Sequence, residues 1–224
     1  MHDPSLRPSP ALGHALFDTA VGRCALAWSA AGVRAVQLPE QDDAATVARL
    51  LRASGPCHAA APPPDAAAAI QGMQALLQGH KLDLREVVLD MTQVSDFHQR
   101  VYAITRAIPP GQVRTYGDIA EQLGGKGLSR AVGQALGLNP FAPVVPCHRV
   151  LGAGFQAGGF SATGGTATKL RMLQIEGACW GDTQALPGFR KVPRQARPKK
   201  KPVGRKADRA FNMFGAGEGN RTLV

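Results

Sequence analysis

The sequence predicts an α+β protein in which a small α/β module precedes a helix-turn-helix unit. Three features predict it. Residues 15–38 are short apolar runs divided by Gly-containing turns. Residues 95–140 hold three helical patterns with their own caps and stops. A Gly-rich stretch at 151–165 then separates an apolar run from a closing amphipathic segment. The 224 residues allow one large domain or two small ones, and an apolar content of 44% is enough for a substantial core.

Residues 1–11 contain three prolines and no periodicity, so they are expected to be disordered. "ALFDTAVGRCALAWSAAGVRAVQL" (15–38) reads as strand, turn, strand, turn, strand, with Gly22 and Gly32 supplying the backbone freedom of the turns. Residues 43–53 form a short amphipathic helix with Val47, Leu50 and Leu51 on one side. "GPCHAAAPPPD" (55–65) is a loop, because consecutive prolines exclude helix and sheet alike. Helical spacing resumes over 66–78 with Ile70, Met73 and Leu77, and "LREVVLDM" (84–91) suits a final strand. This module, 12–92, contains no obvious chemistry.

In the second unit, 94–179, Phe97, Val101, Ile104 and Ile108 recur with helical spacing behind a Ser95 N-cap. "IPPGQV" (108–113) ends that helix. "TYGDIAEQLGG" (115–125) is a second, with Thr115 as cap and Asp118 completing a capping box. "SRAVGQALGLNP" (129–140) is a third. Gly133 and Gly137 lie one turn apart in it, each costing about 1 kcal/mol relative to Ala. With Ala131 they make a bare face, open to a packed neighbour or to a nucleic-acid strand. "LGAGFQAGGFSATGG" (151–165) is a mobile loop or the wing of a winged helix. "TATKLRMLQIEGA" (166–178) closes the unit with Leu170, Leu173 and Ile175 facing inward.

The net charge of +10 is uneven. Residues 181–224 carry 11 Lys and Arg against 3 Asp and Glu and have low hydrophobicity, so the sequence predicts a basic disordered tail over 180–224. The closing "GAGEGNRTLV" suits no fold. Read as codons, its Glu-Gly-Asn-Arg-Thr can encode the complement of a transfer-RNA T-arm, so the reading frame is expected to run into an adjacent tRNA gene. No run reaches the roughly 18–20 apolar residues of a membrane span, and the N-terminus lacks the layout of a secretory signal. Cys24, Cys57, Cys147 and Cys179 are widely spaced without a C-x-x-C pair, which points to free thiols in a reducing, cytoplasmic setting.

The chemistry concentrates in "VVPCHRVLGAG" (144–154), where Cys147, His148 and Arg149 interrupt an apolar run. Such a run is either an awkward piece of core or a reactive site. A thiol reacts as thiolate and needs a base or positive field near neutral pH. His148 can serve directly or through a water, provided Pro146 turns the chain so that neighbouring side chains share one cavity. Glu176 is a candidate acceptor to orient that imidazole.

"IPPGQVRTYGDIA", "SRAVGQAL", "NP", "PCHRV", "GG" and "TKLRMLQIEG", in this order between Phe97 and Glu176, resemble the signature of the O6-alkylguanine-DNA alkyltransferase family, the methylated-DNA–protein-cysteine methyltransferases. The first module resembles the family's N-terminal module more weakly. The resemblance implies an N-terminal RNase H-like α/β domain followed by a C-terminal winged helix-turn-helix domain. It implies a monomer without cofactor that acts on double-stranded DNA containing O6-alkylguanine, cytoplasmic and nucleoid-associated when bound to DNA. The base leaves the stack, and Cys147 takes its alkyl group once and irreversibly. By the same resemblance His148 and Glu176 form a water-linked relay, Asn139 is a hinge, and Tyr116 crowds the target phosphate and gives a proton to the departing guanine. Arg130 fills the gap left by the flipped nucleotide. Thr115, Ala131 and Gly133 lie on the DNA face, and Val150 lines the base pocket. Arg149 is expected to pair with a buried carboxylate.

The loop "GGFSATGG" (158–165) is longer than the family's common form, so its substrate-contacting residue is either Ser161 or Thr163, and the accepted alkyl size is open. Gly152 and Ala153 stand near a phosphate-binding Ser of some relatives, and Leu136 stands where some carry Met. Zinc in the first module would have to recruit Cys24, Cys57, His58 and His80, but no ligand-pair spacing supports it, so no metal is expected. The fused basic tail either adds phosphate contacts or is a solvated extension. The main rival function is a non-catalytic module that recognises alkylated DNA, against which the presence of Cys147 argues. A cysteine hydrolase would need an oxyanion hole, and a transcriptional regulator an effector domain. The sequence displays neither.

Overall fold

A computed structural model of the chain describes residues 13–179. The expectations for 1–11, for the basic tail from 180 and for the closing ten residues lie outside the described residues.

Strands β1 (Gly13–Thr19), β2 (Gly22–Ser29) and β3 (Gly32–Gln37) form an antiparallel meander in that order. Gly22 and Gly32 follow the two turns with φ of +121° and +125°. At Gly32 a Cβ would also stand 2.6 Å from the Val88 carbonyl oxygen, so glycine is required there twice over.

The sheet carries a helix on each face. Helix α1 (Asp43–Ser54), capped by the Asp42 carboxylate on the Ala45 N–H at 2.7 Å, packs Leu50 against Ala25, Ala27 and Ala35. Its buried stripe is Thr46, Leu50 and Ser54, whereas Val47 and Leu51 are only half-buried. This corrects the expected face. An alanine-lined sheet brings the helix close, and small side chains fit at the closest approach. Helix α2 (Pro64–Leu77) begins two residues before the predicted start, because proline is accepted in a first helical turn. It packs Ile70, Met73, Leu76 and Leu77 against Leu26, Trp28 and Val36.

Residues 84–91 do not form the predicted strand. They contribute one isolated parallel bridge, Val33 to Leu89. The outer edge of β3 is short, and Phe141 occupies its other end through a bridge to Val36, so a full strand has no edge to pair with. The segment is pinned by side chains instead. Asp90 is buried and accepts from Ser29 Oγ (2.7 Å), Arg34 Nη1 (2.9 Å) and Thr92 Oγ1 (2.6 Å).

A second core joins α3 (Asp96–Arg106), α4 (Tyr116–Gln122) and α5 (Ser129–Gly137), with Val101, Tyr102, Ile119, Val132, Leu136, Phe141 and Val145 at its centre. The Ser95 cap and the Thr115–Asp118 capping box form as predicted. Two-residue strands β4 (Arg114–Thr115) and β5 (Val150–Leu151) pair in parallel. Residues 156–165 hold no strand. Helix α6 (Thr166–Ile175) turns Leu173 inward as predicted, but its companions are Lys169 and Met172, and the predicted Leu170 and Ile175 are only half-buried. Among the described residues no helix is long and apolar enough to cross a membrane.

Candidate active site

Pro146 ends the apolar run, and Cys147–Arg149 wind into one 3-10 turn before β5. In such a turn successive side chains splay apart. Cys147 faces a cavity of about 320 Å³, while His148 and Arg149 point into the interior behind it. The β4–β5 pairing sets Thr115 beside Leu151, so the first residue of α4, Tyr116, reaches the same cavity. Gly133 and Leu136 of α5 line it too, and Gly159, Phe160 and Ser161 of the Gly-rich segment form the opposite wall.

Behind the thiol lies a fully desolvated polar cluster. His148 Nε2 is 2.9 Å from Glu176 Oε1. Arg149 grips the same carboxylate with two nitrogens, Nε to Oε2 at 2.9 Å and Nη2 to Oε1 at 2.7 Å, and its Nη1 donates to the Ile108 carbonyl. Arg149 therefore pairs with a buried carboxylate, as the sequence predicts. Burial opposes charge on Glu176, but His148 and the Arg149 guanidinium outweigh it and hold the carboxyl at about 2. Burial pushes His148 below its ordinary value despite Glu176, so the imidazole is neutral at pH 7. A carboxylate only accepts, so Nε2 carries the hydrogen and Nδ1 is a lone pair. Nδ1 is buried and has no hydrogen-bond partner among the described residues. It is a base left open among the described residues.

Burial likewise pushes the Cys147 thiol up, opposed by Asn139, by Lys169 and by the amides of its own turn. Asn139 ties the end of α5 to the turn: its Nδ2 donates to the Val145 carbonyl at 2.8 Å and its Oδ1 accepts from Phe141 N at 3.0 Å. Burial and the nearby Cys147 raise the half-buried Tyr116, which keeps its hydroxyl proton at neutral pH. This arrangement joins a protected thiol, a neutral base oriented by a carboxylate, and a phenolic acid across one cavity. It suits nucleophilic transfer followed by protonation of the leaving group.

The family profile described as "6-O-methylguanine DNA methyltransferase, DNA binding domain" matches residues 96–178. A methylated-DNA–protein-cysteine methyltransferase of Mycobacterium bovis is 46% identical over 91 residues, covering 41% of this chain and 53% of the relative. One from Shigella flexneri is 43% identical over 96 residues, covering 43% and 55%. The chain thus spans about half the length of these curated relatives. The crystal structure of Mycobacterium tuberculosis OGT in complex with DNA is similar over a longer stretch. It is 32% identical with a TM-score of 0.58, and the match covers 74% of this chain and 93% of that one. The chain belongs to the methylated-DNA–protein-cysteine methyltransferase family.

Of the residues singled out from the methyltransferase signature, Cys147, Tyr116 and Gly133 line one cavity, with His148, Glu176 and Asn139 directly behind it. Arg130 is exposed on α5 and Ala131 is half-buried beside it. The Thr115 hydroxyl is committed to the α4 cap, accepting from Asp118 N at 3.1 Å. Two expected pocket residues stand elsewhere. Val150 is fully buried in the second core and does not reach the cavity wall. Of the two loop candidates, Ser161 lines the cavity, whereas Thr163 turns away and donates to Glu40 Oε2. Among the described residues no three His, Cys, Asp or Glu side chains gather as metal ligands, and Cys57 instead lies 3.5 Å from His14 Nδ1.

Sequence reasoning missed Lys169. It is buried, donates to the Val150 carbonyl at 2.6 Å and lies 5.8 Å from the Tyr116 ring centroid. Burial, partly opposed by Cys147, pushes it down to about 8. The signal was present: 169, 172, 173 and 176 follow the i, i+3, i+4, i+7 rule of one helical face, with a charge at each end.

Proposed function

We propose that the chain repairs double-stranded DNA by moving a methyl or other alkyl group from O6 of guanine to Cys147 Sγ, once per molecule. The observation that carries this reading is the buried Cys147 at the cavity wall, backed by a neutral imidazole whose free nitrogen has no partner among the described residues. The thiol gives its proton through one water to His148 Nδ1. Sγ attacks the alkyl carbon, the S–C bond forms as the C–O6 bond breaks, and the electron pair leaves with guanine. Tyr116 supplies the proton that neutralises the departing base, and the thiol's proton makes good that loss. A buried thioether has no leaving route, so the reaction stops at one turnover.

On this reading each residue has a role. Asn139 fixes the Cys147 turn against α5. Arg130, exposed on α5, stacks where the flipped base was, because a planar guanidinium can replace a base. Gly133 and Ala131 let α5 approach a groove that admits only small side chains. On this reading residues 12–92 are the RNase H-like α/β domain and 94–179 the winged helix-turn-helix domain of a cytoplasmic, nucleoid-associated monomer that needs no cofactor.

Intact and peptide mass spectrometry after mixing with excess duplex containing one O6-methylguanine tests this. The peptide holding Cys147 is expected to gain one methyl group stoichiometrically, and Cys147→Ala none. Duplex binding without transfer by the unaltered chain would leave a recognition module.

A further inference from the structure

The wall of the pocket opposite Cys147 has no regular structure of its own. Residues 156–165 make few internal bonds, chiefly Gly165 N to the Ala162 carbonyl at 2.9 Å, and their ends are tied to the flanking chain by Gly152 N to the Gln156 carbonyl at 2.7 Å, Thr166 Oγ1 to the Gly158 carbonyl at 2.9 Å and Thr168 Oγ1 to the Thr163 carbonyl at 2.7 Å. Gly158, Gly164 and Gly165 all have positive φ. Such a segment holds a fixed shape only if something outside it does the holding.

Between those flanking ties, the side-chain hold on 161–163 comes from the first module. Arg49, on α1, donates through Nη2 to the Ser161 carbonyl at 2.6 Å and through Nη1 to Glu40 Oε1 at 2.7 Å. Glu40 in turn accepts from Gln37 Nε2 at 3.0 Å and, on its other oxygen, from the Thr163 hydroxyl. The Glu40 side chain is only 10% exposed and Arg49 36%, so the pair is partly shielded from water. One carboxylate and one guanidinium thus grip the segment at both 161 and 163.

The gripped residues do more than line one pocket. Phe160 and Ser161 also border a second cavity of about 280 Å³, which runs beside Leu38, Arg52 and Leu138 and likewise reaches Cys147. With Gly137 and Cys147 they border both spaces, and on the loop side they form the partition between them. We propose that Glu40 and Arg49 are positioning residues that hold this partition and thereby limit the size of the alkyl group delivered to Cys147. The inference rests on the alkyl-transfer reading above. Releasing the grip lets the partition retreat and joins the two cavities, which opens room for a bulky group while adding nothing for a methyl.

The test uses the full chain with Arg49→Met and, from the loop side, Thr163→Val, which leaves the first module untouched. Rate constants for alkylation of Cys147 are measured with duplexes carrying O6-methylguanine and O6-benzylguanine, and amide exchange is followed over 158–165. Each variant is expected to raise the benzyl-to-methyl rate ratio about tenfold and to speed exchange over the loop, the factor carried by about 1.4 kcal/mol. A merely structural role would lower both rates together and leave the ratio fixed, and that result overturns the proposal. If Cys147 of the unaltered chain gains no alkyl group from either duplex, the alkyl-transfer reading fails. The grip is then judged by exchange alone: faster exchange in both variants supports it, and unchanged exchange overturns it.

Discussion

Lys169 is a cation buried beside a thiol, and its cost and its use can be separated by pH. In the unfolded chain the ammonium titrates near 10.5, and burial brings it to about 8 in the folded chain. Between those values the unfolded chain holds a proton that the folded chain has released, so this group makes stability rise with pH across that window, by at most about 3 kcal/mol. Lys169→Met removes the slope. Urea unfolding of both proteins at pH 8 and pH 10 is expected to show the variant gaining relative stability at the lower pH. The same variant is expected to alkylate about tenfold more slowly at pH 7, because the ammonium that favours the Cys147 thiolate is gone. A variant as fast as the parent would remove Lys169 from the account.

Glu176 gives a slope of the same sign on the acid side, but there the charge stabilises the fold instead of opposing it. Its carboxyl falls from 4.5 to about 2 on folding, so its contribution is fully present above pH 4.5 and is lost as pH falls toward 2. Glu176→Gln leaves the Arg149 guanidinium buried without its counter-charge and is expected to cost about 3–5 kcal/mol. The acid-side slope between pH 4.5 and 2 should flatten in the variant, and equilibrium unfolding at those two pH values reads both effects.

At the scale of elements, the helices with local punctuation were legible. Ser95, Thr115 and Asp118 announce their caps in sequence because capping is a contact within three residues. The face of α6 was not, since an apolar-inward rule misreads a helix whose inward stripe includes Lys169 and Glu176. Residues 84–91 misled for another reason: their β-branched pattern is real, but Phe141, distant in sequence, occupies the end of the β3 edge they would need. Cys147, His148 and Glu176 were identifiable from residue type. The assignment of Ser161 to the pocket and Thr163 to Glu40 needed the partner across 123 residues. Helix α5 carries a prediction of its own. A Cβ at Gly133 would lie 3.9 Å from the Tyr116 ring, an ordinary contact, so Gly133→Ala is expected to stabilise the chain by about 1 kcal/mol. The same methyl narrows the cavity, and alkylation by duplex substrate is expected to slow even as the unfolding midpoint rises.

For the whole molecule, the question is whether the two cores unfold separately. They are distinct clusters, yet Ala142, Phe160 and Leu89 pack against both, and the described residues belong to one compact unit. The chain that joins them is fastened by the Asp90 carboxylate, which meets Ser29, Arg34 and Thr92 in a buried network; burial opposes its charge, and those partners more than offset it. Asp90→Ala leaves Arg34 buried with only the Thr92 hydroxyl and a long contact to the Ser54 carbonyl, and the loss is expected to be about 3–5 kcal/mol. How that loss is shared discriminates between two architectures. If the cores are one cooperative unit, amide exchange in β2 and in α3 falls in protection by the same amount, because both exchange through global opening. If they are independent, β2, which carries Ser29 beside the network, loses protection while α3 keeps it. Shared residues on both clusters favour equal loss, and native-state exchange on Asp90→Ala decides it.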